Sequence, residues 1–237
     1  MDLLALVQSL HYEAKLAGPA PSGTSGLDGR AADLVRWVIE AYNDIQRQGD
    51  GKWKWLRGEW NFDTVADTAS YAVTAITDTD DNATISRFRA WDLDEREPPL
   101  IYLSADGKAT ERELALKDWR DFRYLYVRGT HSAAYSGAIA AKVDNKLFLG
   151  PTPDDVYRVT GTYWQSNQEL VVDADVPEMP DNFHMAIVYR AIVKYGYNSV
   201  SPEILARAEM DGAPIYEALV NNQAYSRFSL STGPPLA

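Results

Sequence analysis

The sequence contains no cysteine and only three histidines, and both shortages narrow the chemistry open to it. Without cysteine there is no disulfide framework, no thiolate metal site and no cysteine nucleophile. The histidines, His11, His131 and His184, form no His-x-x-x-His or His-Glu-x-x-His pair, so a zinc site has no support. Phosphate-binding glycine motifs and the Gly-x-Ser-x-Gly motif of serine hydrolases are also missing. The sequence therefore predicts no enzyme, no metal and no cofactor.

The sequence also lacks a basic excess and a long hydrophobic run. Its 34 acidic and 23 basic side chains give a net charge of −11, which argues against wrapping DNA or binding an anionic membrane. No apolar stretch is long enough to span a bilayer, and residues 3–7 are too short for the core of a signal peptide. We expect a soluble protein that stays in the cell that makes it. With 46% hydrophobic residues, the chain can build a core and is globular rather than disordered.

Apolar residues at helical spacing predict helices at both ends of the chain. The first covers about residues 3–16 and the second about 28–48, with Asp28 as its cap. Residues 181–197 form a third helix that is apolar on nearly all sides and therefore packed on most of them, with Asp181 as its cap.

A fourth helix begins at Ser201, the expected cap, followed by Pro202 in the first helical position. The triplet Gly212-Ala213-Pro214 lies inside this helix. Because Pro214 has no N–H to donate to the carbonyl four residues earlier, we expect a kink there, or two helices that meet.

The middle of the chain has the texture of short strands. Strand-like pieces lie at 70–76, 85–93 and 100–103, a hairpin at 138–149, an alternating strand at 157–163, and one helix between 110 and 126. Helices at both ends around such a middle predict an α+β fold, in which both chain ends build a helical bundle and the middle is a β-rich insertion. The expected divisions are 1–57 (helical), 58–177 (insertion), 178–226 (helical) and 227–237 (an extended arm).

Two features leave a binding or hydrolytic function open. Trp53, Trp55 and Trp60 would stack on sugars if they were exposed, although core or interface packing accounts for them better in a chain with seven tryptophans. The acidic pairs Asp154-Asp155 and Asp173-x-Asp175 would suit a glycosidase only if the fold brought them across a cleft, and turn chemistry explains them more simply.

A calcium loop is the remaining metal hypothesis. Asp78, Asp80 and Asn82 take its first, third and fifth places, but the sixth is Ala83 rather than glycine and the twelfth is Arg89 rather than glutamate. A plain acidic turn is the preferred interpretation.

The last residues, 227–237, predict a docking arm. Ordering about ten residues costs roughly 10–20 kcal/mol of backbone entropy, whereas burying Phe228, Leu230 and Leu236 returns about 1.5–3 kcal/mol each. The arm should therefore be loose on its own. Phe228 and Leu230 alternate with serines, as in a strand added to a neighbour's sheet, and Arg227 precedes them. A frayed terminus without a role is the alternative.

Two blocks of the sequence carry a resemblance to a known family. They read Leu34-Val35-x-Trp37-Val38-x-x-Ala41-x-x-x-Ile45-Gln46 with Trp53-x-Trp55-Leu56, and Leu149-x-Pro151-x-Pro153-Asp154-x-x-Tyr157-x-Val159-x-Gly161-x-Tyr163 with Leu170, Asp173-x-Asp175-x-Pro177 and Pro180-x-x-Phe183-His184-x-x-Ile187-Val188-Tyr189. These packing and turn signatures resemble the head-to-tail adaptor (connector) proteins of tailed bacteriophages. The middle, 63–135, matches loosely, and the break at 212–214 departs from the uninterrupted last helix of that family.

The resemblance implies a structural virion protein that performs no chemistry. It implies a helical bundle with a β-rich insertion, assembled as a ring of twelve copies in the neck between head and tail after synthesis in the host cytoplasm. Its partners would be the portal protein, on which the arm docks, and tail or nozzle proteins. DNA would pass through the ring without specific binding, which the net acidity favours. A tail-completion or tail-tube subunit is the first alternative, and a carbohydrate-binding or hydrolytic protein the second.

Overall fold

The computed structural model describes residues 1–198 and 202–223, and these form two compact units. One unit comprises Met1–Trp55 together with the described residues from Gln168 onward, and the other comprises Leu56–Asn167. The first is helical and the second is rich in strands, so the protein is α+β as predicted. In chain order the elements are α1 (Leu3–Glu13), α2 (Gly29–Arg47), β1 (Arg57–Asp63), β2 (Ser70–Tyr71), β3 (Thr77–Asp78), β4 (Phe88–Asp92), β5 (Leu100–Leu103), β6 (Arg112–Glu113), β7 (Ala115–Leu116), α3 (Trp119–Phe122), β8 (Ala138–Ala141), β9 (Leu147–Gly150), β10 (Tyr157–Gln165), α4 (His184–Asn198) and α5 (Pro202–Gln223).

The helical unit is organised around α4, which contacts α1, α2 and α5. Ile187, Val188 and Ala191 on this helix are fully buried, which accounts for its nearly continuous apolar sequence. The few polar residues of α4 include Lys194, whose ammonium lies 2.8 Å from the Asp44 carboxylate on α2. This polar side chain therefore contributes to the contact between the two helices.

A pair of glutamines joins α2 to the segment that re-enters the helical unit. The fully buried amide of Gln46 donates to the Gln168 carbonyl at 3.0 Å and accepts from the Gln168 N–H at 2.8 Å. The Gln168 side chain accepts from the Tyr42 hydroxyl at 2.7 Å and from the Glu178 N–H at 2.8 Å, and it donates to the Val176 carbonyl at 2.9 Å. The Gln46 side chain thus pairs with both the N–H and the carbonyl of Gln168, as the backbone of a neighbouring strand would.

The loop that follows Gln168 receives the start of the first helix. The N–H groups of Leu3 and Leu4, which have no partner inside a helix, donate to the carbonyls of Asp175 and Asp173. The Asp2 side chain caps α1 by accepting from the Ala5 N–H at 2.8 Å. Backbone and side-chain bonds together therefore fix the first turn of α1.

The cap predicted at Asp28 is confirmed in position, whereas the cap predicted at Asp181 is wrong. Asp28 occupies the N-cap position of α2 but its side chain makes no capping hydrogen bond. Asp181 begins a 3₁₀ turn, Asp181–Phe183, that precedes α4, so the α-helix starts three residues later than predicted, at His184. The turn follows Pro180, whose carbonyl accepts a hydrogen bond from the Phe183 N–H at 2.9 Å. Ser201, the predicted cap of the last helix, lies outside the described residues.

The last helix continues through Gly212-Ala213-Pro214. Of the two expectations for this triplet, the meeting of two helices is therefore wrong. Pro214 removes one donor from the interior of α5 without ending it. Gly212 has a packing role: a Cβ built there would lie 2.8 Å from the Cβ of Tyr189. The absence of a side chain therefore allows α5 to approach α4 closely at this point.

The strand-rich unit contains a six-stranded and a four-stranded sheet. The first has the order β3-β1-β10-β5-β6, with β4 also pairing β10, and the second has the order β2-β9-β8-β7. The long strand β10 pairs antiparallel with the whole length of β1, from Arg57 opposite Trp164 to Asp63 opposite Arg158. Trp60, Ile101 and Val159 are fully buried in the core of this unit.

Several strand predictions agree with the structure and others are too long. The strand at 100–103 and the hairpin at 138–149 are found, as β5 and as β8 paired with β9. The predicted 70–76 strand shrinks to β2 followed by a 3₁₀ turn, Val73–Ala75. The helix expected between 110 and 126 is reduced to α3, which continues as a five-residue π turn, Arg123–Val127.

We predict that Gln46→Ala destabilises the helical unit by about 1–3 kcal/mol, because the part-buried N–H and carbonyl of Gln168 both lose their partner. Urea unfolding followed by circular dichroism measures this loss. Asn43→Ala on the same helix is the matched control and should change the stability by less than about 0.5 kcal/mol. Equal stability of the two variants would contradict the role given to this pair.

We predict that Gly212→Ala destabilises the protein by about 1–3 kcal/mol through overlap with Tyr189. The sign is diagnostic, because glycine to alanine inside a helix ordinarily stabilises by up to about 1 kcal/mol. Gly137→Ala is the control, since a Cβ there meets no atom within 4 Å. A higher melting temperature for Gly212→Ala would refute the close approach.

Candidate functional site

The three histidines have structural partners at separate places in the chain. His184 is fully buried, with Nε2 2.9 Å from the Met179 carbonyl and Nδ1 2.7 Å from the amino group of Met1. His11 lies 3.1 Å from the Gly18 carbonyl, and His131 lies 2.6 Å from the Arg128 carbonyl. Residues 1–198 and 202–223 contain no group of three histidines or acids that could hold a metal ion.

The acidic residues proposed for a glycosidase hold loops together. Asp154 accepts from the Tyr157 hydroxyl at 2.6 Å, and Asp155 accepts from the Val156 N–H. Asp173 accepts from the Thr24 N–H at 2.8 Å and from the Thr24 hydroxyl. Two backbone N–H groups, those of Val171 and Val172, bond the Asp175 carboxylate and hold its pKa below the ordinary value.

The acidic turn at Asp78 is also tied into the fold. Asp78 accepts a hydrogen bond from the Tyr163 hydroxyl and another from the Asp80 N–H at 2.9 Å. Burial and this carboxylate raise the pKa of Tyr163. In the same unit, burial and the bond to Asp154 raise the pKa of Tyr157 to about 12. Tyr157 and Tyr163 therefore each donate a hydroxyl hydrogen bond to a carboxylate, part-buried at Tyr157 and buried at Tyr163.

The tryptophans do not form an exposed platform. Trp53 is buried and donates from Nε1 to the Ile45 carbonyl at 2.9 Å, and Trp60 is buried and donates to the Thr162 carbonyl. Trp55 is half-buried and stacks on Trp53 with ring centres 4.6 Å apart. The exposure that sugar stacking requires is missing at Trp53 and Trp60.

The remaining signature residues lie in the helical unit. Trp37 is buried against the Tyr195 ring, Phe183 is buried at the turn before α4, and Tyr189 is half-buried beside Gly212. The predicted arm residues Arg227, Phe228, Leu230 and Leu236 lie outside the described residues.

Each unit carries a surface groove. A groove of about 240 Å³ in the helical unit is lined mainly by small apolar and aromatic groups, including Ala186, Tyr189 and Ala213. A groove of about 370 Å³ on the six-stranded sheet includes Glu59 and Glu97, and the Glu97 carboxylate is bound by Arg57 at 2.6 Å. Neither lining places a histidine or an activated nucleophile beside these acids.

An exposed segment that the sequence did not single out is the most distinctive surface of the strand-rich unit. We call Trp119–Arg128, which contains α3 and the π turn, the arginine–tyrosine segment. Arg120, Arg123 and Arg128 are exposed, as are Leu125 and Val127, and Tyr124 is 69% exposed. A signal was present: Phe122 and Tyr126 follow the buried side of a helix, while arginines and apolar residues occupy the opposite side. Arginine, tyrosine and exposed aliphatic groups together are typical of protein contacts.

A comparison with protein families decides the identity of the chain. The family described as SU10 adaptor protein matches residues 1–229, which is nearly the whole sequence. The chain belongs to the SU10 adaptor protein family. No curated protein matches it.

Membership of the SU10 adaptor protein family agrees with the resemblance to phage head-to-tail adaptors found in the sequence. For a structural adaptor, the relevant sites are contact surfaces rather than pockets. None of the helices within the described part of the chain is both long and apolar enough to cross a membrane.

We predict that stability falls as the pH rises above about 10, because the unfolded chain then ionises tyrosines that the fold keeps protonated. Below pH 10 this contribution is constant, and it is lost progressively as the pH climbs toward the raised pKa values of Tyr157 and Tyr163. The double variant Tyr157→Phe/Tyr163→Phe should show a shallower loss.

The control for this prediction is Tyr124→Phe, because that ring is largely exposed. Urea midpoints measured between pH 9 and about 12 give the slopes. The same alkaline slope in the double variant and the wild type would contradict the assignment.

Proposed function

We propose that this chain is the ring-forming head-to-tail adaptor of a tailed phage virion, which docks on the portal protein and links it to the tail while leaving a channel for DNA. The observation that carries the proposal is membership of the SU10 adaptor protein family across residues 1–229. The virion neck would be its location after synthesis in the host cytoplasm. Its work would be contact between rings, without catalysis or a cofactor.

The proposed scaffold is a bundle to which both chain ends contribute. The contacts of α4 with α1 and α2 support it, because these helices come from opposite ends of the sequence. The glutamine pair Gln46–Gln168 supports it further by joining groups that are 122 residues apart. The strand-rich unit would then be an insertion carried by that bundle.

A ring of twelve copies is the proposed assembly, with tail or nozzle proteins as the partners on the side away from the portal. The charge of −11 supports free passage of DNA, because like charges on an inner wall would discourage binding to phosphates. Tight binding of DNA by the purified ring at moderate salt would overturn this part of the proposal.

The arm of residues 227–237 is the proposed portal contact. It follows α5, whose last residue is Gln223, and carries Arg227, Phe228, Leu230 and Leu236. Alternation of apolar and serine residues in the arm suits an extended strand that pairs with a partner's backbone.

Electron microscopy of the protein mixed with portal tests both proposals. We expect rings attached to the portal for the full chain, and no attachment for a variant lacking residues 227–237, whose circular dichroism and melting should match the full chain. Phe228→Ser/Leu230→Ser should lower attachment by about tenfold or more, since each buried anchor contributes about 1.5–3 kcal/mol.

Ser229→Ala/Ser231→Ala is the matched control in the same arm and should attach normally. Normal attachment of the truncated protein would refute the arm. A wild-type protein that forms no ring and binds no portal would refute the adaptor function itself.

A further inference from the structure

The arginine–tyrosine segment is packed on its inner side and capped at its start. Phe122 is buried, and its ring lies 5.1 Å from that of Tyr126 and 6.0 Å from that of Trp119. The Trp119 ring in turn lies 4.7 Å from Phe148 on β9. Asp118 caps the segment by accepting from the Arg120 and Asp121 N–H groups. The outer side chains therefore project from a fixed backbone, which lowers the entropy cost of binding.

The outer side of the segment has the chemistry of a protein contact. The Arg128 guanidinium lies 5.9 Å from the centre of the Tyr124 ring, so these two groups are already arranged together. Leu125 and Val127 are 46% and 48% exposed and would remain in water against a phosphate backbone. Exposed aliphatic groups beside arginines instead fit a partner that offers both carboxylates and apolar surface.

The outward face of α5 offers that combination. Glu209, Met210, Glu217 and Val220 are all exposed, and Met210 is 72% exposed. The helix contains one arginine, Arg207, whose guanidinium lies 3.3 Å from Asp211 of the same helix and so leaves this face acidic. The face spans from Glu209 to Val220, about 16 Å at 1.5 Å per residue.

We propose that the arginine–tyrosine segment of one copy docks on the outward face of α5 of a second copy. Charge complementarity is the reason for choosing a second copy as the partner. The segment contains three arginines and one acidic residue, Asp121, whereas the chain as a whole has a net charge of −11. A second copy therefore presents an excess of acidic side chains, and α5 adds the exposed apolar groups Met210 and Val220 that Leu125 and Val127 require. This inference rests on the proposed function and names the contact between neighbouring subunits.

The contact is heterologous, because two different surfaces meet. A heterologous contact repeats from copy to copy, and it closes into a ring when the rotation between copies allows it. A two-fold dimer contact would use the same surface on both copies and would stop at two. The pairing of segment with α5 is therefore of the kind that a ring needs.

Sedimentation velocity and native mass spectrometry of the full chain, alone and with portal, test the proposal. Arg123→Glu/Arg128→Glu should raise the dissociation constant between copies by roughly 10–100-fold, as expected for loss of interface arginines and introduction of like charges. Glu209→Lys/Glu217→Lys should do the same. Combining all four substitutions should restore much of the association, because the charges are then exchanged.

The matched control is Lys108→Glu/Lys146→Glu, which changes the net charge by the same amount at exposed lysines of the same unit. Circular dichroism shows whether each variant is folded. Restored association in the variant with all four substitutions would also show that neither pair of substitutions acts by unfolding the protein. The control should associate like the wild type.

Three results would overturn the inference while leaving the adaptor function intact. The first is association of the arginine variant as strong as that of the control. The second is an absence of restored association in the variant with all four substitutions. The third is loss of binding to a DNA duplex at moderate salt by the arginine variant with association unchanged, which would make the segment a nucleic-acid contact. Failure of the wild type to associate, alone and with portal, would instead remove the proposed function together with this inference.

Discussion

The two hydrogen bonds between the Gln46 side chain and the Gln168 backbone are the constraint on which the helical unit depends. The chain leaves this unit after Trp55 and re-enters it at Gln168, so its two parts must be joined across a long loop, at an entropy cost that grows slowly with loop length. A part-buried backbone that returns without a neighbouring strand needs partners for its N–H and carbonyl. Gln46 supplies both, and the Gln168 side chain then orders the approach to Val176 and Glu178. The loop positioned in this way receives the first N–H groups of α1, so the glutamine pair indirectly fixes the start of the chain as well.

Hydrogen bonds to the backbone and to hydroxyl groups also account for the acidic residues that the sequence analysis considered for a glycosidase or a calcium site. Asp154, Asp173 and Asp175 each accept hydrogen bonds that close a turn or join two segments, and Asp78 receives a buried tyrosine hydroxyl. A carboxylate engaged in this way has little freedom to act as a base or a nucleophile. Many of the carboxylates in this chain therefore have a structural use, because they close loops and join segments of the fold.

Local patterns predicted the local features of this fold well. Apolar spacing placed α1 and α2, and alternation along 157–163 marked β10, because periods of 3.6 and 2 reflect which side of an element is buried. Features that depend on distant partners were not predictable. Nothing near Gln46 indicates a partner 122 residues away, and Gly212 reads as a break in a helix until Tyr189 is seen beside it. Asp181 has the right chemistry for a cap, but Pro180 occupies the N-cap position and Asp181 lies inside the 3₁₀ turn that precedes α4. The arm lies outside the described residues, so its role remains a prediction.

In the arginine–tyrosine segment, the residues that pack inward gave the sequence pattern, whereas the surface proposed for binding was not predicted from it. Its aromatic residues Trp119, Phe122 and Tyr126 recur at helical spacing, and this pattern alone predicts a helix with one buried side. The opposite side carries arginines, Tyr124 and Leu125 where a solvated helix would carry mixed polar residues, and the π turn widens the backbone that presents them. In a single copy, exposure of the Leu125 and Val127 side chains to water does not stabilise the fold. Their position beside arginines has a physical reason if a neighbouring acidic surface covers them, and in the proposed ring each subunit would supply such a surface to the next.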